Sequence, residues 1–219
     1  MAPARVALIV DIIGSRRLSA RGDAQERVIE VFARAAEGVE LVEPLWATAG
    51  DEFQALFARI GDAVRVTALM RLLFDDGLDC RFGLGEGESR EIGSGRGGPI
   101  LDGSAWWRAR EAIEYVDARD DRAAPYQRTW FVGESVASSS AINAHLLVRD
   151  HLVGVMTARA RRLAAGSLLG RTQVQLAAAE GVSQSAVSQS LRRSGAAALV
   201  AADRALAELD SAPMTGAPA

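Results

Sequence analysis

The chain has 219 residues, 49% of them hydrophobic, and a formal net charge of −3, which suits one large domain or two small ones with a buried core. Its basic residues are all arginine, so any chemistry that requires a lysine is excluded. Cys80 is the single cysteine, which excludes an intrachain disulfide and a zinc site built on cysteines. The chain shows no apolar run near the ~18 residues of a membrane helix and no signal-peptide pattern, so a cytoplasmic protein without a membrane partner is expected.

Residues Arg5 to Ile12 form a nearly continuous apolar run and predict a central strand buried on both faces. A loop follows to Gly22. Val28, Ile29, Val31, Phe32, Ala35 and Ala36 recur at helical spacing between Asp23 and Gly38, with Gly38 as the stop. Short strand-forming runs flank Gly50-Asp51, predicting a hairpin over Val42 to Ala58. Gly61 to Phe74 reads as a second amphipathic helix and Cys80 to Gly87 as a further strand. Glu88 to Gly98 is polar and glycine-rich and reads as a mobile loop. Asp102 to Val116 reads as a helix with Asp102 as its N-cap, and Arg128 to Val132 as a short last strand. This order is the split βαβ arrangement of a ferredoxin-like palm, so the fold class is α+β and the front domain spans 1–134.

From Ser135 strand signals vanish, and an all-helical domain is expected over 135–210. Ala141 to Ala165 reads as one long helix broken by Gly166. Its apolar residues require it to dock on the front domain or to pair with its copy in a homodimer. Gly170 to Glu180, Ser183 to Arg193 and Ala196 to Leu209 are three further helices. Residues 211–219 lack a core-forming pattern and are expected to be disordered. Seven arginines between Arg149 and Ser194 face Asp150 and Glu180, about +5 locally, against an acidic front.

Gln173 to Leu191 has helix-turn-helix spacing. Ala177 is small enough for two helices to cross, Gly181 allows a tight turn, Val182 and Val187 fill the space between them, and Ser183 can cap the second helix. That helix carries Gln184, Ser185, Ser188 and Gln189, suited to base edges, then Arg192 and Arg193, suited to phosphates. Double-stranded DNA is the expected partner. The plainer reading is a helical hairpin packed on the front domain.

Asp11 ends the first strand and Asp51 sits at the hairpin tip. Two carboxylates at the ends of neighbouring buried strands are the oxygen donors a hard cation such as Mg²⁺ or Mn²⁺ shares with substrate phosphates. Alternatively, Asp11 only caps a strand exit and Asp51 only serves the turn. Glu52 either supports the site or is a turn charge. Arg81 and Arg110 are either phosphate ligands or ion-pair partners of the acids.

Asp11-Ile12-Ile13-Gly14-Ser15, Gly50-Asp51-Glu52-Phe53, Arg81 to Gly87 and Asp102 to Arg110, with the terminal helix-turn-helix, resemble the SatD family of bacterial proteins. The front motifs are more distantly similar to class III nucleotide cyclases and diguanylate cyclases. That resemblance implies metal ligation by Asp11 and Asp51, and a phosphate cradle over Ile12, Ile13, Gly14 and Ser15, with Arg81 and Arg110 at the nucleotide. Arg110 matches the arginine that steadies the cyclase transition state, whereas the asparagine four residues before it is Trp106 here. Two functions follow as expectations. One is a DNA-binding transcriptional regulator whose palm holds a metal–nucleotide ligand. The other is a magnesium-dependent cyclase or nucleotidyltransferase, with Asp11, Asp51 and Arg110 as catalytic candidates and the helix-turn-helix as a targeting module. A palm that serves only as a dimerisation scaffold is a third.

Overall fold

The structure, a computed structural model, describes residues 4–15, 21–48, 51–74, 77–95, 98–119 and 124–209. It divides into two compact units, Met1–Val155 and Met156–Ala219.

The first unit opens with β1 (Arg5–Ile12), α1 (Arg21–Ala35), β2 (Leu41–Ala47), β3 (Glu52–Phe57), α2 (Ile60–Leu73) and β4 (Cys80–Gly87). The hairpin β5 (Arg90–Gly95) and β6 (Gly98–Asp102) follows, then α3 (Ser104–Ala118), β7 (Thr129–Val132) and α4 (Val136–Val155). The main sheet has the order β2-β3-β1-β4-β7. β1 lies between β3 and β4 and is antiparallel to both. The first four strands therefore have the ferredoxin-like order, and β7 extends the sheet parallel to β4.

Strand alternation sorts the residues onto two faces. Val6, Leu8 and Val10 of β1, Phe53 and Phe57 of β3, and Phe82 and Leu84 of β4 fill one buried layer, in which Phe57 meets Phe32 of α1 at 6.2 Å. The opposite face carries Ala7, Ile9 and Leu56, packed with Ala105, Trp106, Ala109 and Ile113 of α3. On this face β4 presents Gly83, Gly85 and Gly87. A Cβ at Gly83 or Gly85 would collide with the α3 backbone at Ala105 and Ala109, and one at Gly87 with the Ser104 hydroxyl and the Ala105 backbone. Glycine on the strand and alanine on the helix let α3 lie directly on the sheet.

Three expectations are corrected here. Residues 88–98 do not form a plain loop: their described part belongs to the β5–β6 hairpin, whose polar, glycine-rich strands carry too little apolar alternation to read as strands. Asp102 does not cap α3. The N-cap is Gly103, at φ 135° and without a side-chain cap bond, while Asp102 Oδ1 accepts from Trp107 Nε1 at 3.0 Å. The long rear helix breaks at Met156-Thr157 and not at Gly166. Thr157 caps α5 (Ala158–Leu168), and Gly166 lies buried inside it, where a Cβ would strike Leu176.

The division after Val155 also differs from the expected boundary at 134/135, because α4 packs on the palm through a polar stripe. Ser139 Oγ accepts from Gly133 N at 2.9 Å. Asn143 bonds Phe131 N at 2.9 Å and Phe131 O at 2.8 Å. Asp150 Oδ2 accepts from Arg128 N and Thr129 N, both at 2.7 Å. These side chains satisfy the backbone edge of β7 that no strand covers. Asp150 is fully buried between Arg71 of α2 and Arg149, each at 2.8 Å from its Oδ1. Burial alone would raise its carboxyl, but Arg71, Arg149 and the Arg128 N–H together hold it below the ordinary carboxylate value.

The second unit holds α5, α6 (Gln173–Glu180), α7 (Gln184–Arg193) and α8 (Ala196–Leu209), packed around Leu163, Ala164, Leu168, Leu176, Val187, Leu191 and Leu199. Among the described residues no helix is long and apolar enough to cross a membrane. Gly50 and the tail expected to be disordered lie outside the described residues.

Asp150→Asn leaves two buried guanidinium groups facing a neutral amide. A loss of about 3–5 kcal/mol is expected, measured as a lowered urea midpoint.

Candidate functional site

The β1–β3 register sets Asp11 opposite Glu52, beside Asp51 in the hairpin turn, and the β1–β4 register sets Asp11 opposite Arg81. All three strand residues lie on the face covered by α3. Because α3 runs back along β4, its residues 110, 114 and 117 share one helical face above this strand end. Arg81 Nη1 bonds Asp11 Oδ2 at 3.3 Å and Asp117 Oδ1 more closely, at 3.0 Å. Arg110 grips Glu52 with two parallel bonds of 2.6 and 2.8 Å, a geometry that raises the affinity of the guanidinium for its proton. Glu52 also accepts from Thr48 and Gln54. Asp11 and Asp117 thus share Arg81, while Arg110 is taken up by Glu52.

Burial pushes the Asp11 carboxyl above its ordinary value; Arg81 pulls it down, while Asp117 and Asp51 add to the rise. Burial is the largest of these effects, and Arg81 outweighs either neighbouring acid.

In the expected phosphate cradle, Gly14 adopts φ 68°, Ile12 and Ser15 are buried, and the Ile13 N–H is engaged by the Asp79 carbonyl at 2.9 Å. Trp106 is buried, with its Nε1 donating to Ser89 at 2.9 Å and its ring edge-on to Trp46 at 5.8 Å; it is a core residue. Trp107 is 64% exposed. Cys80 is buried, which pushes its thiol up.

Among the described residues no three His, Cys, Asp or Glu side chains converge as a ready-made metal site. Asp117 escaped the sequence reading, whereas Arg110 takes the ion-pair alternative, with Glu52 as its partner. The signal for Asp117 was its seven-residue spacing from Arg110.

In the second unit, Thr172 and Gln175 form a capping box on α6, Gly181 turns the chain at φ 64°, and the Ser183 hydroxyl accepts from Ala186 N at the start of α7. Val187 and Leu191 are buried, whereas Gln184, Ser185, Gln189, Arg192 and Arg193 are exposed and Ser188 is half-buried. Arg162 clamps Glu180 with bonds of 2.7 and 2.6 Å.

The SatD family model matches residues 5–209. The chain belongs to the SatD family. No curated protein matches it. Among solved structures, a bacterial light-regulated adenylyl cyclase is similar at 17% identity, over 64% of this chain and 79% of that one, with a TM-score of 0.46. The guanylate cyclase domain of RhGC from Catenaria anguillulae, in complex with GTP, is similar at 18% identity over 51% and 72%, with a TM-score of 0.38. The adenylyl cyclase CyaB from P. aeruginosa is similar at 16% over 49% and 70%, with a TM-score of 0.37.

Asp11 disfavours folding as it ionises, so its cost appears as pH rises through its elevated pKa and is absent below its ordinary value. In this SatD protein Asp11→Asn is therefore expected to raise the melting temperature near neutral pH without divalent cation. The gain should fade in acid, as followed by thermal melts across a pH series.

Proposed function

We propose that the palm is a nucleotide-binding module that takes a nucleoside triphosphate together with Mg²⁺ or Mn²⁺ at Asp11 and Asp51. The observation that carries this reading is the gathering of carboxylates at one strand end, where Asp11 and Asp117 meet Arg81, Glu52 meets Arg110, and Asp51 stands in the adjoining turn. A bound divalent cation would neutralise Asp11 and Asp51 and polarise a phosphate oxygen. Arg81 has Asp117 as a second partner, so it can release Asp11 without being left unpaired. Arg110, held by Glu52 above the same end, would stabilise charge on a transferred phosphoryl. The turn at Gly14 lets the chain bend close to a phosphate.

In its enzymatic form this reading is a cyclase or nucleotidyltransferase with Asp11, Asp51 and Arg110 as the catalytic candidates. The buried Trp106 offers no polar group to such a reaction. In its regulatory form the ligand sets the state of the helical unit or of a homodimer, which requires different affinities for the two arrangements.

The exposed Gln184, Ser185, Gln189, Arg192 and Arg193 on α7 favour a second reading for the rear unit, contact with double-stranded DNA. The polar residues would meet base edges and the two arginines phosphates.

ATP or GTP with Mg²⁺ at a hundredfold excess over Kd is expected to stabilise the protein by about 2.7 kcal/mol, and Asp51→Asn to abolish that gain. Equal melting shifts in both proteins would remove the site, and product analysis of the same mixtures separates turnover from binding. Arg192→Ala combined with Arg193→Ala is expected to weaken DNA binding and to lower its salt slope by about 2. A gel shift with no retarded fragment at low salt for the unaltered protein would remove the DNA reading.

A further inference from the structure

α4 has two opposite faces. Asn143, Leu146, Arg149, Asp150 and Val153 are buried, and this face holds the helix on the palm. On the other face Ala137, Ala141, Ala144, Val148, His151 and Val155 are all exposed. These six follow one another at intervals of four, three, four, three and four, the repeat of a coiled-coil seam. Val148 is 63% and Val155 52% exposed.

A helix face turned to water normally carries charged residues, and this one carries none. The only Arg or Asp residues of α4 are Arg149 and Asp150, and both are buried. His145, on one flank of the seam, is held below its ordinary value by burial and by Arg149, so it adds no charge at neutral pH. The helix has 20 residues and is about 30 Å long, and the uncharged seam runs its whole length. A continuous apolar surface of this kind marks a contact with another macromolecule.

Side-chain size identifies the occupant. The first half of the seam is alanine only, and the second half holds the larger Val148, His151 and Val155. A second copy of α4 running in the opposite direction, centred on Leu146, brings the two halves together. Ala137 then faces the partner's Val155, Ala141 the partner's His151 and Ala144 the partner's Val148. Every layer of the seam holds one small and one large side chain, so the two axes keep an even spacing. On the flank, Leu147, 37% exposed, meets its own copy at the twofold axis. Parallel pairing would set alanine on alanine along one half and large residues on their copies along the other. The antiparallel order also places opposite ends of the two helix dipoles together. An unrelated partner would have to carry the reverse gradient of size, which this chain already carries.

We propose that α4 is the contact of a homodimer, in which a second copy of this chain packs antiparallel along the seam from Ala137 to Val155. The contact is isologous, the self-complementary form that closes a twofold dimer. It depends on neither the nucleotide nor the DNA reading.

The test is sedimentation of the full chain over a concentration series, without nucleotide or DNA. The unaltered protein is expected to be dimeric at micromolar concentration. Ala144→Glu places a carboxylate in each of the two central layers. It is expected to keep its helical circular dichroism, because residue 144 is exposed in the single chain, and to weaken association about a hundredfold or more. Orientation is read by cross-linking with a short bismaleimide, to which the buried Cys80 is silent. Ala137→Cys mixed with Val155→Cys is expected to cross-link. Ala137→Cys alone is not, because residue 137 and its copy lie about 27 Å apart along the pair. A protein that stays monomeric throughout the series would overturn the proposal and leave the seam to a different partner. A dimer of unchanged affinity in Ala144→Glu would overturn it in favour of another face of the chain. Cross-linking of Ala137→Cys to itself would overturn the antiparallel arrangement.

Discussion

The backbone of α3 lies directly on β4 because that strand offers it only hydrogen atoms. Gly83, Gly85 and Gly87 face the helix, and Ala105 and Ala109 meet them. Without side chains between them, helix and strand approach more closely than ordinary packing allows, and the helix can neither slide nor tilt without collision. The strand end depends on that contact. It brings Asp117 within reach of Arg81 and Arg110 onto Glu52, so two elements far apart in sequence share one set of charges. On the same face Trp46 and Trp106 close the layer, and Tyr115 of α3 stacks on Trp130 of β7 at 4.2 Å. The charged end of the sheet is thus set on a closely packed layer.

A second constraint works at the other side of the palm. β7 is an edge strand, and an uncovered edge exposes unpaired backbone groups. The structure covers it with the side chains of a helix. Ser139, Asn143 and Asp150 recur at intervals of four and seven, so they line one face of α4, and each bonds the β7 segment. Asp150 can remain charged in the interior because Arg71, Arg149 and two backbone N–H groups surround it. The same arrangement joins α2, β7 and α4 into one body and explains why the first unit runs through Val155.

The palm was legible because its strands obey simple patterns. Arg5 to Ile12 is apolar except at Arg5 and Asp11 and became a strand buried on both faces. The alternation of Phe82 and Leu84 with Arg81 and Gly83 became a strand with an aromatic side and a bare side. The helix-turn-helix signature was equally local: Gly181 turns the chain and Ser183 caps the next helix. The β5–β6 hairpin was missed because its pairing lies between polar, glycine-rich segments whose composition equals that of a loop. The break at Thr157 was missed because Gly166 looked the stronger breaker, yet a buried glycine in a helix can serve close packing, here against Leu176.

By itself the sequence determined which segments are strand or helix, the α+β order of the palm and the presence of acids at residues 11 and 51, because these follow from periodicity and turn chemistry within a few neighbouring residues. Only the tertiary structure decided which charges meet. The pairing of Arg81 with both Asp11 and Asp117, the grip of Arg110 on Glu52, the burial of Asp150 and the exposed face of α4 all join residues tens of positions apart or depend on what packs around them. Such contacts are set by strand register and helix packing, which no local pattern encodes.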